Sequence, residues 1–167
     1  MPQRYLIIGS GAAGIAAAEE IRSQDPGGEI LLVSEEPEGY YSRPGLAYYL
    51  TGETPEQMLF PFTDHDFDRL RLHRLHAHVR DLRSQSHEVT LGDGRLLSYD
   101  RLLLATGSHA IKLRLPGVDL EGIVKLDDLD DARRILKQCR RGRTAVVVGG
   151  GITALEIVEG LHARLAT

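Results

Sequence analysis

One cysteine, Cys139, stands in 167 residues, so the chain builds no internal disulfide and no Cys-x-x-Cys or Cys-x4-Cys redox pair. A basic excess is also lacking: 20 Lys+Arg against 24 Asp+Glu give a formal net charge of −4, which argues against nucleic acid as the main partner. No apolar run approaches the ~20 residues of a membrane span. Met1-Pro2-Gln3-Arg4 leads into the first apolar run too soon to be a secretory leader. Together these absences predict a cytoplasmic protein with no membrane partner. What is present is ordinary for a globular chain, 42% hydrophobic and 26% charged, with length for about one domain and a real core.

The most informative stretch is the opening. Tyr5-Leu6-Ile7-Ile8 runs straight into Gly9-Ser10-Gly11-Ala12-Ala13-Gly14, and an Ala-rich helical pattern follows. In a Gly-x-Gly-x-x-Gly turn the first glycine allows a sharp exit from the strand. The second leaves room for a pyrophosphate, and the third lets the helix lie close on the sheet. The helix start then directs backbone N–H groups and a positive dipole end at that anion. Glu35 lies 21 positions beyond Gly14, at the end of a second apolar run, Ile30-Leu31-Leu32-Val33. A carboxylate there can accept hydrogen bonds from both ribose hydroxyls. Strand, turn, helix and acidic residue together predict dinucleotide binding on a parallel sheet with a right-handed crossover.

Strands are expected at 4–8 and 29–34 around a helix at 12–24. The loop that follows, Glu36 to Leu46, holds Arg43 and Pro44. It lies beyond the carboxyl end of a parallel strand, where such sheets bind ligands. Arg43 is therefore a candidate for the pyrophosphate or a flavin edge, with a solvated arginine in a turn as the alternative. Short helices are expected at 45–52 and 64–70, the second capped by Thr63 or Asp64. Thr54-Pro55-Glu56-Gln57 has the form of a capping box. Residues 72–79 read as one strand continuing toward 83. Gly92-Asp93-Gly94 separates two apolar runs as a hairpin turn, and a two- or three-stranded meander is expected there. Leu102-Leu103-Leu104-Ala105 reads as a strand buried on both faces. Residues 128–141 form an amphipathic pattern ended by Gly142, with Cys139 on the apolar stripe as a core thiol.

His73, His76 and His78 cluster, but no cysteine or suitably spaced carboxylate completes a metal shell, so no metal is assigned. The Arg-rich stretch 133–143 reads as a solvated face, with a docking patch for an acidic iron–sulfur protein as the alternative. Near its end the chain repeats its beginning: Ala145-Val146-Val147-Val148 enters Gly149-Gly150-Gly151-Ile152-Thr153-Ala154 and a further helical pattern. This predicts a second strand–turn–helix nucleotide unit. Its next strand, with the residue that selects NAD or NADP, would fall about twenty residues past the motif.

With two such fingerprints the sequence resembles the two-dinucleotide-domain flavoproteins, the pyridine nucleotide–disulfide oxidoreductase superfamily. It is most similar to the branch of NAD(P)H-dependent ferredoxin and rubredoxin reductases and the nitrite reductase large subunit. The matching stretches are Gly9–Gly14 with Glu35, Tyr41-Ser42-Arg43-Pro44, Asp100 to Gly107, Pro116-Gly117 and Gly149–Glu156. The resemblance implies FAD, with pyrophosphate on Gly11, Ala12, Ala13 and Gly14, ribose on Glu35, and the flavin side on Arg43 and Pro44. It implies backbone approaches near Val79 and at Ala105, Thr106 and Gly107. It also implies NAD(P)H at Gly149, Gly151 and Ala154, with Glu156 near the nicotinamide. The implied fold is α/β: a Rossmann-like FAD domain with a parallel sheet and an inserted β-meander at 1–115, a linker and helix at 116–142, and the first βα unit of an NAD(P) domain at 143–167.

The implied chemistry is hydride transfer from NAD(P)H to flavin and delivery of electrons to an acceptor, an iron–sulfur or other protein. Two departures bear on it. The cysteine pair of the disulfide reductases and the single cysteine of related oxidases are both missing, which excludes a thiol relay, and no catalytic side chain is assigned. Relatives also continue through a whole NAD domain and return to finish the FAD domain. The competing readings are a nucleotide-binding module without turnover and a fragment that self-associates as a homodimer, through the open sheet edge and helix 152–165.

Overall fold

Residues 4–8, 72–76, 29–34 and 101–104 are short apolar-rich segments that pair as parallel strands. In the computed structural model, which describes residues 1–111 and 113–166 (Ala166 in its backbone alone), they are β1 (Arg4–Ile8), β2 (Glu29–Ser34), β3 (Leu72–His76) and β7 (Arg101–Leu104). Their order across the sheet is β3-β2-β1-β7. A second, antiparallel sheet has the order β4-β5-β6, from β4 (Val79–Arg83), β5 (Glu88–Leu91) and β6 (Leu96–Ser98). The chain falls into two units: residues 1–41 with 61–107, and residues 42–60 with 108–167.

The first unit is layered by strand alternation. On β1, Leu6 and Ile8 point to one face and join Val33, Val89, Leu91 and Tyr99 of the meander side. Ile7 points to the other face and joins Ile30 and Leu32 with Ile15, Ala18 and Phe67 of α1 (Ala12–Gln24) and α3 (Asp64–Leu70). A parallel sheet needs both faces covered, and here helices cover one and the antiparallel sheet the other. Leu6, Ile7, Ile30, Val33, Val89 and Leu91 are essentially inaccessible, each such side chain contributing about 1.5–3 kcal/mol by burial. Arg4 and Asp100 tie the starts of β1 and β7 together. Asp100 Oδ2 accepts from the Arg4 N–H at 2.8 Å, and Oδ1 accepts from Nη2 at 3.0 Å. These hydrogen bonds hold the Asp100 carboxyl below the ordinary aspartate range.

Several expectations are corrected here. The segment expected as one strand at 72–83 is two: β3 pairs parallel with β2, and β4 starts the antiparallel sheet. Ala77 N–H donates to Ser34 O at 2.9 Å, so the chain leaves one sheet and enters the other at His78. β7 has one neighbour, β1, among the described residues. It is an edge strand, and Leu104 is 57% exposed rather than buried on both faces. Thr54-Pro55 forms no side-chain cap, and a single 3-10 turn follows at Glu56–Leu59. At α3 the expected cap does form, with the Thr63 N–H and hydroxyl both donating to Asp66 Oδ2 at 2.9 and 2.7 Å.

The second unit contains α2 (Gly45–Thr51), α4 (Leu129–Gln138) and α5 (Ile152–Ala166). Gly160 lets α5 approach α2: a Cβ there would lie 2.7 Å from the Leu50 Cβ. Arg164 donates from Nε to Leu50 O at 3.0 Å and from Nη2 to Tyr49 O at 3.2 Å, serving carbonyls near the end of α2. Asp128 caps α4 by accepting from the Asp131 N–H at 2.8 Å, and Leu129, Ala132 and Ile135 are its buried stripe. The helix ends before the expected 141, because the stripe stops there and Cys139 has extended backbone. Cys139 is half-buried rather than a core thiol. Burial pushes its pKa up.

The expected strand at 145–148 is not formed. Among the described residues it joins no ladder, and Val146 and Val148 are more than four-fifths exposed. An isolated strand has no partner for its backbone groups. The helix after it is present as α5.

Candidate functional site

The turn between β1 and α1 is fixed by its backbone. Gly9 N–H donates to Val33 O at 2.8 Å, and Ala105 N–H donates to Ile8 O at 2.8 Å. Gly9 has φ +111°, which an L side chain rarely adopts, and a Cβ there would sit 2.1 Å from the Ala105 carbonyl oxygen. Gly14 passes just as close to the turn, its hypothetical Cβ 2.0 Å from Gly9 O. Gly11 differs. It is the N-terminal cap residue of α1 with extended backbone, and nothing lies within 4 Å of its Cβ position. That bare cradle at a helix start, with Ala12 and Ala13 exposed in the first turn, fits an anionic diphosphate approaching the backbone.

Glu35 follows β2 directly and is half exposed. Two imidazoles address it: His78 Nδ1 lies 2.7 Å from Glu35 Oε2, and His76 Nε2 lies 2.9 Å from Glu35 O. The Nδ1 of His78 carries a proton in this contact, because the carboxylate can only accept. Val79, half-buried, opens β4 opposite Leu91. Ala105 closes against Gly9, with Thr106 and Gly107 exposed beyond it and Gly107 at φ +66°. The first unit thus gathers Gly9 to Gly14, Glu35, Val79 and Ala105 to Gly107 at the carboxyl ends of β1, β2 and β7 and at the start of β4.

The remaining candidates belong to the second unit. Arg43 Nη1 donates to Asp127 O at 2.6 Å, and Pro44 stands just before α2. Asp127 Oδ2 in turn accepts from Lys125 Nζ at 3.0 Å and from the Ala110 N–H at 3.0 Å, with His109 Nδ1 at 3.3 Å. Burial alone would raise the Asp127 carboxyl, but those hydrogen bonds outweigh it and hold its pKa low. Gly149, at φ +144°, Gly151 and Ala154 form the approach and first turn of α5, with Glu156 half-buried in that helix.

Ser10 and Ser34 were not singled out from the sequence. Ser10 Oγ donates to Ser34 Oγ at 2.9 Å, and Ser34 Oγ accepts from the Glu36 N–H at 3.1 Å. This chain of hydroxyls ties the glycine turn to the segment carrying Glu35. The only signal was position, since Ser34 ends β2 and Ser10 lies in the turn just after β1. His76 and His78 belong to the histidine cluster of the sequence. Among the described residues no group of His, Cys, Asp or Glu could hold a metal, and their contacts go to Glu35.

Known proteins resemble this chain over nearly its whole length. The family model described as pyridine nucleotide-disulphide oxidoreductase matches residues 3–164. A probable ferredoxin reductase, CtmF, of Castellaniella defragrans is 33% identical over 161 residues, covering 95% of this chain and 39% of that protein. The biphenyl dioxygenase system ferredoxin–NAD(+) reductase component of Paraburkholderia xenovorans is 35% identical over 152 residues, 90% of this chain and 37% of that one. Among solved structures, the covalent putidaredoxin reductase–putidaredoxin complex superposes with a TM-score of 0.85 at 30% identity, covering 98% of this chain and 40% of that chain. The chain therefore spans about two fifths of the length of these relatives. No helix among the described residues is long and apolar enough to cross a membrane.

Proposed function

Because the chain belongs to the pyridine nucleotide-disulphide oxidoreductase family, we propose that it is the FAD-holding portion of an NAD(P)H:acceptor oxidoreductase. In this reading electrons pass to a ferredoxin-type iron–sulfur protein, with no cysteine relay. The observation that carries it is the open Cβ position of Gly11 in a turn locked by Gly9 and Gly14, with Glu35 at the end of the adjacent strand. Relatives named as ferredoxin reductases support the choice of acceptor class.

The residues present fit the cofactor. Backbone from Gly11 to Gly14 would hold the diphosphate, Glu35 the adenosine ribose, and backbone near Val79 and at Ala105, Thr106 and Gly107 would line the approach. Arg43 and Pro44 are the candidates for the flavin side, and Gly149, Gly151, Ala154 and Glu156 for NAD(P)H. Bound FAD would supply acceptance of a hydride and release of electrons one at a time; the protein's part is to bind, orient and exclude water. The domain reading is FAD binding by 1–115, a connecting 116–142, and the start of a nucleotide unit at 143–167. The one cysteine, half-buried with a raised pKa, is the opposite of an activated thiol.

A second reading, nucleotide binding without turnover, is favoured by one observation: among the described residues 145–148 join no sheet, so no strand leads into the second nucleotide turn there. One preparation separates the two. The visible spectrum of the purified chain is recorded and NADH is added anaerobically. Flavin absorbance that bleaches supports the reductase, and bound flavin that stays yellow supports the module. A colourless chain that binds no added FAD sinks both.

A further inference from the structure

Glu35 does not stand alone at the end of β2. His78 Nδ1 lies 2.7 Å from its Oε2, while His76 Nε2 lies 2.9 Å from its carbonyl. His78 is held where it is by backbone on both sides. Ala77 N–H donates to Ser34 O at 2.9 Å, and the His78 carbonyl accepts from the Gly92 N–H at 2.8 Å. These bonds fix the crossing from the parallel to the antiparallel sheet, and a side chain on that crossing is aimed at the strand end beside it. The ring is 63% exposed and the Glu35 side chain 52%, so water and ligand both reach the pair.

We infer that His78 is a positioning residue of the adenosine ribose site, acting through Glu35 and making nucleotide affinity depend on its own protonation. The inference rests on Glu35 being the ribose carboxylate. The neutral ring, with its proton on Nδ1, donates one hydrogen bond and leaves the carboxylate its full negative charge for ribose hydroxyl donors. The imidazolium makes the same contact an ion pair, which is stronger and shorter than a neutral hydrogen bond. It also cancels the charge that the ribose hydroxyls would meet. Ribose therefore competes poorly for Glu35 when His78 is charged and well when it is neutral.

The charged and titratable groups near His78 in the chain and at the strand ends it joins include Glu35 and Glu36 beyond β2, His76 at the end of β3, Arg80 and Asp81 on β4, and Asp93 next to Gly92. Of these, His76 is the one other imidazole. Its ring hydrogen-bonds the Glu35 backbone carbonyl, so replacing it leaves the His78–Glu35 contact in place.

FAD is titrated into the chain by flavin fluorescence between about pH 5.5 and 8.5, for wild type, His78→Gln and His76→Gln. Wild-type affinity is expected to fall about tenfold toward acid. His78→Gln keeps a side-chain N–H donor but cannot gain charge, so its affinity is expected to be flat across this range and near the wild-type value at high pH. His76→Gln is expected to keep the acid limb. Identical pH profiles for wild type and His78→Gln overturn the inference, as does a flat wild-type profile. Loss of all FAD binding at every pH, in wild type as well, overturns the assignment of Glu35 to ribose and this inference with it.

Discussion

Gly9 and Ala105 meet main chain to main chain: a Cβ on Gly9 would lie 2.1 Å from the Ala105 carbonyl oxygen, and Ala105 N–H donates to Ile8 O at 2.8 Å. The end of β7 is thereby pressed against the glycine turn after β1. Gly11, two residues on, has open space where Gly9 has none. The two glycines do different work, and substitution separates fold from binding.

Gly9→Ala is expected to lower stability by more than about 3 kcal/mol, combining a positive φ with a backbone clash. Gly11→Ala is expected to shift stability by less than about 1 kcal/mol while weakening FAD binding at least tenfold, because its methyl enters the space proposed for the diphosphate. Urea unfolding and flavin titration of both variants check this. A Gly11→Ala protein that binds FAD as wild type does would remove the diphosphate from this turn.

Glu35→Ala is expected to weaken FAD binding by about 1–3 kcal/mol through loss of charged hydrogen bonds to the ribose. Fluorescence titration of both proteins at one fixed pH measures it. Unchanged affinity would make Glu35 a surface acid paired with a histidine.

Glu56 lies below the ordinary glutamate pKa because Arg133 donates to it from Nη2 at 2.6 Å and the Tyr49 hydroxyl donates at 2.7 Å. A carboxyl depressed in the folded state contributes stability above its unfolded pKa and loses it as pH falls through the folded value. The second unit is therefore expected to weaken on acidification below about pH 4.5, and Glu56→Gln to be less stable at neutral pH with a shallower acid limb. Thermal melts from pH 3 to 7 report both. Parallel curves for the two proteins would count against the linkage.

Thr90 is 5% exposed on β5, and among the described residues its hydroxyl has no hydrogen-bond partner. Its cross-strand neighbours are Asp81 and Leu96, and Val89 and Leu91 on either side are wholly buried. Thr90→Val keeps the β-branched shape and removes an unsatisfied polar group, so stability is expected to rise by about 1 kcal/mol. A lower denaturation midpoint would show that the hydroxyl is satisfied in solution.

The parts legible in the sequence are those with local causes. Tyr5 to Ile8, the glycine spacing and the Ala-rich run specify β1, the turn and α1 without reference to distant residues, and Glu35 follows from the length of one βαβ unit. The fate of Leu72-His73-Arg74-Leu75-His76 is not local. Its two leucines, three residues apart, mark no single strand face, and pairing with Ile30 to Ser34 decides the matter. Leu102 to Leu104 reads as interior because three leucines in a row have no polar face, yet position at the sheet edge leaves Leu104 in solvent. Residues 145–148 show the reverse limit, since an apolar run becomes a strand only when a neighbour accepts its hydrogen bonds. The second imidazole contact of Glu35 could not be read from spacing, because it needs the bend at Ala77.

Tyr5 pairs with Ile30 in one direction and with Arg101 in the other. For an unfolded chain, closing the longer of these loops costs roughly 1 kcal/mol more in entropy than closing the shorter. Local β1–α1–β2 pairing is thus favoured early, and β7 joins late, bringing Ala105 onto Gly9 only then. A nucleotide gripping the finished turn would hold the last-formed contacts. It would lengthen the lifetime of the native state far more than it hastens refolding.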